Sequence, residues 1–233
     1  MNNFVRIITC IIICICIIAF WATEGLNTVL SAPIATHSVV VHSCPKAFND
    51  KIVDSAISLL KTGDIVLRRG IGADSYLLAM MNRKDKTFSH CGIVIVEHDT
   101  PYVYHCIGGE DNPDERLRRD IPAAFFSPLH NTEIAIVRYD FSLNQTNVLM
   151  DIVHEYYRRR PKFDMKFSLV SDDKLYCSEF VYKAVNKATA DSGYIGTSSF
   201  SGGRFVGIDN LFINPHARII WQTKFKQYLY GLK

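Results

Sequence analysis

Residues 88–97 read Phe-Ser-His-Cys-Gly-Ile-Val-Ile-Val-Glu, and this run constrains the fold more than any other part of the chain. The β-branched stretch Ile93-Val94-Ile95-Val96 has no polar alternation, which is the pattern of a strand buried on both faces. His98-Asp99-Thr100-Pro101 follows as a turn, and Tyr102-Val103-Tyr104-His105-Cys106-Ile107 reads as a second strand. The two strands are expected to form a hairpin.

The rest of the chain supplies helices to cover it. Ile52, Val53, Ala56, Ile57 and Leu60 recur at helical spacing, and Gly63 is a natural stop just beyond them. A turn at Thr62-Gly63-Asp64 leads into a strand at Ile65-Val66-Leu67, and Ser75–Met81 suggests a short helix. Gly108 to Pro128 is polar, rich in Pro and Gly, and is expected to be a surface excursion. Ile134–Arg138 reads as a strand. Asn144 is the expected cap of a helix reaching about Arg160, where Pro161 ends it. After an irregular approach, a helix begins near Cys177 with Phe180, Val181, Ala184, Val185 and Ala188 as its inner stripe. Ser192–Gly203 reads as a loop and Arg218–Gln222 as a last strand. The order predicts an α+β fold, with a mostly antiparallel sheet packed against helices.

The N-terminus is of another kind. Ile7 to Ala22 is almost wholly apolar, with Arg6 the charge before it and Leu30-Ser31-Ala32 offering small residues beyond. This is the layout of a secretory signal. The run falls a little short of the roughly 20 apolar residues of a spanning helix, so a retained membrane anchor is the second reading. Either way Arg6 stays inside and the rest is exported, to the periplasm or cell envelope. The organisation expected is a signal or anchor over 1–22, a linker over 23–45 and one domain over 46–233. A net charge of +3, from 26 basic and 23 acidic residues, argues against a nucleic-acid partner. Of seven cysteines, Cys10, Cys14 and Cys16 lie in the apolar run, leaving Cys44, Cys91, Cys106 and Cys177. No metal-ligand spacing of Cys and His is visible, and no metal or other cofactor is expected.

Cys177 opens a helix, where unpaired backbone N–H groups and the helix dipole favour thiolate. A nucleophile needs a base, and His90 at the start of the central strand is the best candidate, with Gly92 leaving room on the same face. His105 lies on the partner strand and is the candidate orienting group. Its rival, Glu97, sits about 23 Å along the strand from His90 and cannot reach. Alternation puts Cys91 and Cys106 on the face opposite the histidines, as core packing, with a cross-strand disulfide as the lesser reading. Glu179 is expected to satisfy the helix N-terminus, Asp64 to stabilise a turn, and Tyr176 to pack as an aromatic. The Cys177 backbone N–H is the expected oxyanion donor.

Thr62-Gly63-Asp64-Ile65-Val66, Phe88-Ser89-His90-Cys91-Gly92-Ile93-Val94 and Tyr176-Cys177-Ser178-Glu179-Phe180-Val181 occur in that order. Together they resemble the permuted NlpC-type papain-like amidases, the YiiX/YaeF-like group. Lys162-Phe163-Asp164 and Gly207-Ile208-Asp209-Asn210-Leu211 add to the resemblance, which spans roughly residues 50–222. It implies a circularly permuted papain-like fold with Cys177 as nucleophile and His90 as base. The third position, commonly glutamate in that group, falls on His105, a residue type used there in the wider superfamily. The activity implied is a thiol hydrolase of the amidase or peptidase kind, acting on a peptide, amide or lipid of the cell envelope. Acyl transfer on the same fold and an idle envelope binding module are the alternatives.

Overall fold

A computed structural model describes residues 41–43, 46–108, 115–200, 203–225 and 227–229, all within the unit Val41–Leu229. The expected signal or anchor, Cys44 and nearly all of the expected linker lie outside the described residues. In chain order the elements are β1 (Val41–Ser43), α1 (Lys46–Ser58), β2 (Ile65–Gly70), α2 (Ala73–Met81), β3 (His90–Glu97) and β4 (Thr100–His105). Then come β5 (Arg118–Asp120), α3 (Pro122–Phe125), β6 (Asn131–Tyr139), α4 (Leu143–Arg159), β7 (Lys162–Phe163) and β8 (Lys174–Leu175). The last are α5 (Cys177–Thr189), β9 (Ser198–Phe200), β10 (Gly203–Phe205), α6 (Asp209–Phe212), β11 (Ala217–Lys224) and β12 (Gln227–Leu229).

Six strands form one sheet in the order β11-β6-β2-β3-β4-β5, every neighbouring pair antiparallel. The fold is therefore α+β with a mostly antiparallel sheet. The β-branched run sits at its middle, and both faces are covered. On one, Ile65, Leu67, Cys91, Ile93, Ile95 and Tyr104 pack against α4 and α5 through Leu149, Val153, Phe180, Val181 and Val185. On the other, Val66, Val94, Val103, Ile134 and Ile136 pack against Val53 and Ala56 of α1 and Phe125 of α3. Neighbouring residues of one strand serve opposite cores, as the two-residue period requires.

Local chemistry sets the ends of these elements. Gly63 has φ of +92°, a left-handed conformation that favours glycine, and its N–H reaches the Val94 carbonyl at 2.9 Å. Next to it Asp64, 1% exposed, takes Arg138 Nε at 2.7 Å on one oxygen and Nη2 at 2.7 Å on the other. That side chain therefore ties β2 to β6 as well as holding the turn. The hairpin turn consists of His98 and Asp99, with φ of 48° and 63°, the paired left-handed geometry that suits strand twist. Thr100 and Pro101, expected in the turn, already belong to β4. The expected surface excursion is corrected in its second half, which holds β5 and α3. The α4 cap is Ser142 rather than Asn144. Its hydroxyl accepts the Gln145 N–H at 3.2 Å while the Gln145 side chain takes the Ser142 N–H at 2.9 Å, a capping box. Ser192–Gly203, expected as a loop, includes β9, which pairs with β10. Val41–Ser43, placed in the expected linker, pairs with β12. Among the described residues no helix is long and apolar enough to cross a membrane.

Candidate active site

The site is built where the β3–β4 ladder ends. Val94 donates its N–H to Asp64 at 2.8 Å, toward β2. Hydrogen bonding alternates along an antiparallel strand, so Cys91 and Ile93 face the β4 side. There the last pair is Ile93 with Tyr104, and Cys91 is left beyond the ladder. The open side of Cys91 instead meets Cys177, brought in at the first turn of α5, where the Cys91 backbone and thiol both favour the thiolate. The nucleophile candidate thus caps an open edge of the central strand, one residue from His90. The Cys91 thiol also faces that sulfur. With the Ser178 N–H it holds the Cys177 pKa below the ordinary thiol value, against burial, which acts the other way. Cys91 itself is pushed up, by burial first and by Cys177 second. Cys91 and Cys106 are free, buried thiols, as core packing requires; no disulfide joins them.

His90 and His105 project from the opposite face, toward α3. Gly92 makes their approach possible. A Cβ there would lie 2.6 Å from Val103 Cγ1 and 3.1 Å from His105 Cβ, so any side chain would push β4 away. Val94 pairs with Val103, a register that sets His105 level with Gly92, two residues from His90. His90 Nε2 and His105 Nδ1 are 2.8 Å apart, and His105 Nε2 lies 3.0 Å from Asp120 Oδ2. Asp120 is fixed in turn by Arg118 Nη2 at 3.1 Å on Oδ1. A carboxylate only accepts, so His105 carries its proton on Nε2 and presents a bare Nδ1. His90 then donates from Nε2, and its Nδ1 is left as the free base. The chain of contacts selects one tautomer at each ring. Phe125 packs against both, tilted to His90 and edge-on to His105, with ring centroids at 5.7 and 5.3 Å, and Arg68 lies over Phe125 at 4.9 Å. Burial, then Arg68, then His105 push the His90 pKa well down. Burial also lowers His105, with Asp120 opposing, and the His105 bond holds Asp120 low against its own burial. Among the described residues no hydrogen bond links Cys177 to His90. The structure sets Cys177 beside Cys91, whereas the His90 ring lies on the other face against Phe125.

Glu97 is engaged elsewhere, bonded by Tyr104, Arg119 and His154 at the far end of the hairpin. Tyr176 is a packed aromatic whose oxygen accepts the Val206 N–H at 2.8 Å. Glu179 takes the Tyr176 N–H at 3.2 Å, closing the start of α5, and burial pushes its pKa up to about 7 while Lys183 opposes. Asn82 and Asp209 position the approach to β3. Asn82 Nδ2 holds the Phe88 carbonyl at 2.8 Å, and its oxygen accepts the Ile208 N–H at 2.8 Å. Asp209 Oδ2 accepts the N–H groups of Arg83 and Lys84 at 2.8 and 2.6 Å. Sequence reasoning missed Asp120, Arg68 and Phe125. The available signal for Asp120 was a charged triplet, Arg118-Arg119-Asp120, between the buried Leu117 and a helix-opening Pro122.

No family model matches the chain, and the search of curated proteins returns no match. The solved structure of YiiX from Escherichia coli O157:H7, described as a metalloprotein of DUF1105, has the same fold with a TM-score of 0.58. Its identity to this chain is 18%, over 70% of this chain and 98% of that one. The metal belongs to the description of that protein. Among the described residues no three His, Cys, Asp or Glu side chains converge on a metal position, and the facing nitrogens of His90 and His105 are taken up by each other. The chain is thus similar in fold to YiiX.

Proposed function

We propose that this protein is an exported cysteine-nucleophile hydrolase of the permuted papain-like, NlpC-type kind, which cleaves an amide or ester of a cell-envelope peptide or lipid. The observation that carries this reading is the buried chain Asp120–His105–His90, which leaves an unprotonated Nδ1 one residue from the strand position beside Cys177. A relay of two imidazoles and a carboxylate stabilises little that a hydrophobic core would not, and its chemical use is to set a base. In the reaction, the Cys177 sulfur attacks the carbonyl carbon and its proton passes to His90 Nδ1. The Cys177 backbone N–H meets the developing oxyanion, and His90 returns the proton to the departing amine or alcohol. Water, deprotonated by His90, then cleaves the thioester. Replacing that water by an amine or lipid hydroxyl gives the acyltransferase reading. Export rests on the Arg6 and Ile7–Ala22 pattern.

An activated aryl ester tests the reading by intact mass. The wild type should gain one acyl group, on Cys177. His90→Ala should acylate at the rate of an ordinary thiol, Cys177→Ser very weakly, and Cys177→Ala not at all. Acylation of Cys177→Ala at the wild-type rate would refute the mechanism. Acylation of the wild type no faster than His90→Ala would point to an idle binding module.

A further inference from the structure

Helix α2 turns an apolar face to the outside. Of its nine residues only Ala79 is buried. Tyr76 is 56% exposed, Leu77 65% and Met81 38%, and Ile71, just before the helix, is 58% exposed. Asp74 is the acidic residue of its first turn. A helix in a soluble fold normally turns its apolar stripe inward, and this one points a contiguous aromatic and aliphatic surface away from the core.

The chemistry beside it says what covers that face. An open cleft of about 630 Å³ adjoins the helix, with Arg69, Lys84, Lys86 and Lys224 set against Asp85 and Glu133. Four cations against two carboxylates leave the cleft positive, with Asp85 accepting the Thr87 N–H at 2.7 Å and Glu133 shared between Gln222 at 2.6 Å and Lys224 at 3.6 Å. The cleft is joined to the helix. Lys86 Nζ bonds the carbonyls of Met80 and Asn82 at 2.7 and 3.0 Å, and the Arg69 guanidinium lies 5.8 Å from the Tyr76 ring centre. Cations held beside an outward aromatic and aliphatic face match the two layers of a lipid interface, with anionic phosphate outside and acyl chain within.

We propose that α2 and this cleft dock the protein on an anionic bilayer surface, with Ile71, Tyr76, Leu77 and Met81 entering the headgroup–acyl boundary and the cleft cations meeting lipid phosphates. Asn82 couples the end of α2 to Phe88, two residues before His90. The docking itself does not depend on catalysis.

The test is hydrogen exchange on the full chain, because the N-terminal apolar run can hold the protein to vesicles by itself while exchange reports each segment separately. With vesicles of phosphatidylcholine and phosphatidylglycerol in equal parts, peptides covering residues 71–81 should exchange more slowly than without vesicles. Leu77→Glu combined with Met81→Glu should abolish that slowing even in protein that the N-terminal run still holds on the vesicles. Both positions are exposed, and an unchanged thermal midpoint establishes that the double variant is folded. Lys84→Glu with Lys224→Glu should weaken the slowing and remove its salt dependence. No slowing over 71–81 in vesicle-bound protein would overturn the proposal. So would equal slowing on pure phosphatidylcholine, or slowing without vesicles that grows with protein concentration, the mark of a second copy on this face.

Discussion

Replacing Asp120 by asparagine tests the tautomer assignment more sharply than removing it. In the native site Asp120 Oδ2 faces His105 Nε2 at 3.0 Å and Oδ1 faces Arg118 at 3.1 Å. An asparagine has one oxygen. Arg118 only donates, so it claims that oxygen, and the amide NH₂ is turned toward His105. His105 Nε2 must then accept, its proton moves to Nδ1, and His90 Nε2 must accept as well. The His90 proton is forced onto Nδ1, the position a base needs bare. Asp120→Ala merely deletes a charged hydrogen bond worth about 1.5–3 kcal/mol, roughly a 10–150-fold loss in acylation rate. Asp120→Asn adds two reversed donors and should be slower again by about tenfold, in the direction of the ~10⁴ loss known for a triad Asp-to-Asn change. Acylation by an activated ester gives the rates, and ¹⁵N shifts of labelled histidine read the tautomers without turnover. Asp120→Asn acylating faster than Asp120→Ala, or His90 keeping its Nε2–H form in the asparagine variant, would refute the reasoning.

His90 and His105 are both buried with pKa values below 6.5, whereas the unfolded chain binds protons there, so their contribution to stability is complete above about pH 6.5 and is lost as pH falls below it, by up to about 1.4 kcal/mol per unit for each group; urea midpoints between pH 7.5 and 5 should decline. Removing a cation raises a histidine pKa, so Arg68→Gln should move the acid limb of the acylation profile upward, which a pH series on the same ester would show. Cys91→Ala removes the thiol that steadies the Cys177 thiolate and should shift the pH midpoint of Cys177 alkylation upward, while Cys91→Ser keeps a donor and shifts it less. Asp64→Ala leaves the Arg138 guanidinium, 24% exposed and so partly solvated, with the Leu59 carbonyl but without its carboxylate, and should cost about 2–4 kcal/mol in urea unfolding; a loss below about 1 kcal/mol would show the pair to be incidental.

The central sheet was legible because its strands are long and carry a pattern. Ile93-Val94-Ile95-Val96 marks burial on two faces, and the inner stripe of α5 marks a helix against one of them. What escaped was short. Arg118–Asp120 is three residues of charge with no periodicity to detect, and it earns its place in the sheet by pairing with β4 rather than by propensity. The distance between His90 and His105 could be approached from strand spacing, but their exact register depended on which two residues formed the turn. His98 and Asp99 lack the Asn-Gly signature that would have told. The Cys177 helix start was readable, whereas its approach to the open side of Cys91 depends on where β4 leaves the ladder, and no residue of Cys106-Ile107-Gly108 announces that point.

That approach makes the customary inactive control a poor one. A strand N–H that has lost its neighbouring chain faces Cys177, whose sulfur can accept where a methyl group cannot. Cys177→Ala therefore puts a methyl group against a buried donor, at a cost of up to about 1–3 kcal/mol. A substrate-trapping experiment built on that variant would be carried out on a frayed template, with the His90 end of β3 loosened. Serine, which retains a lone pair at nearly the same place, is the substitution that silences the chemistry while keeping the strand sealed.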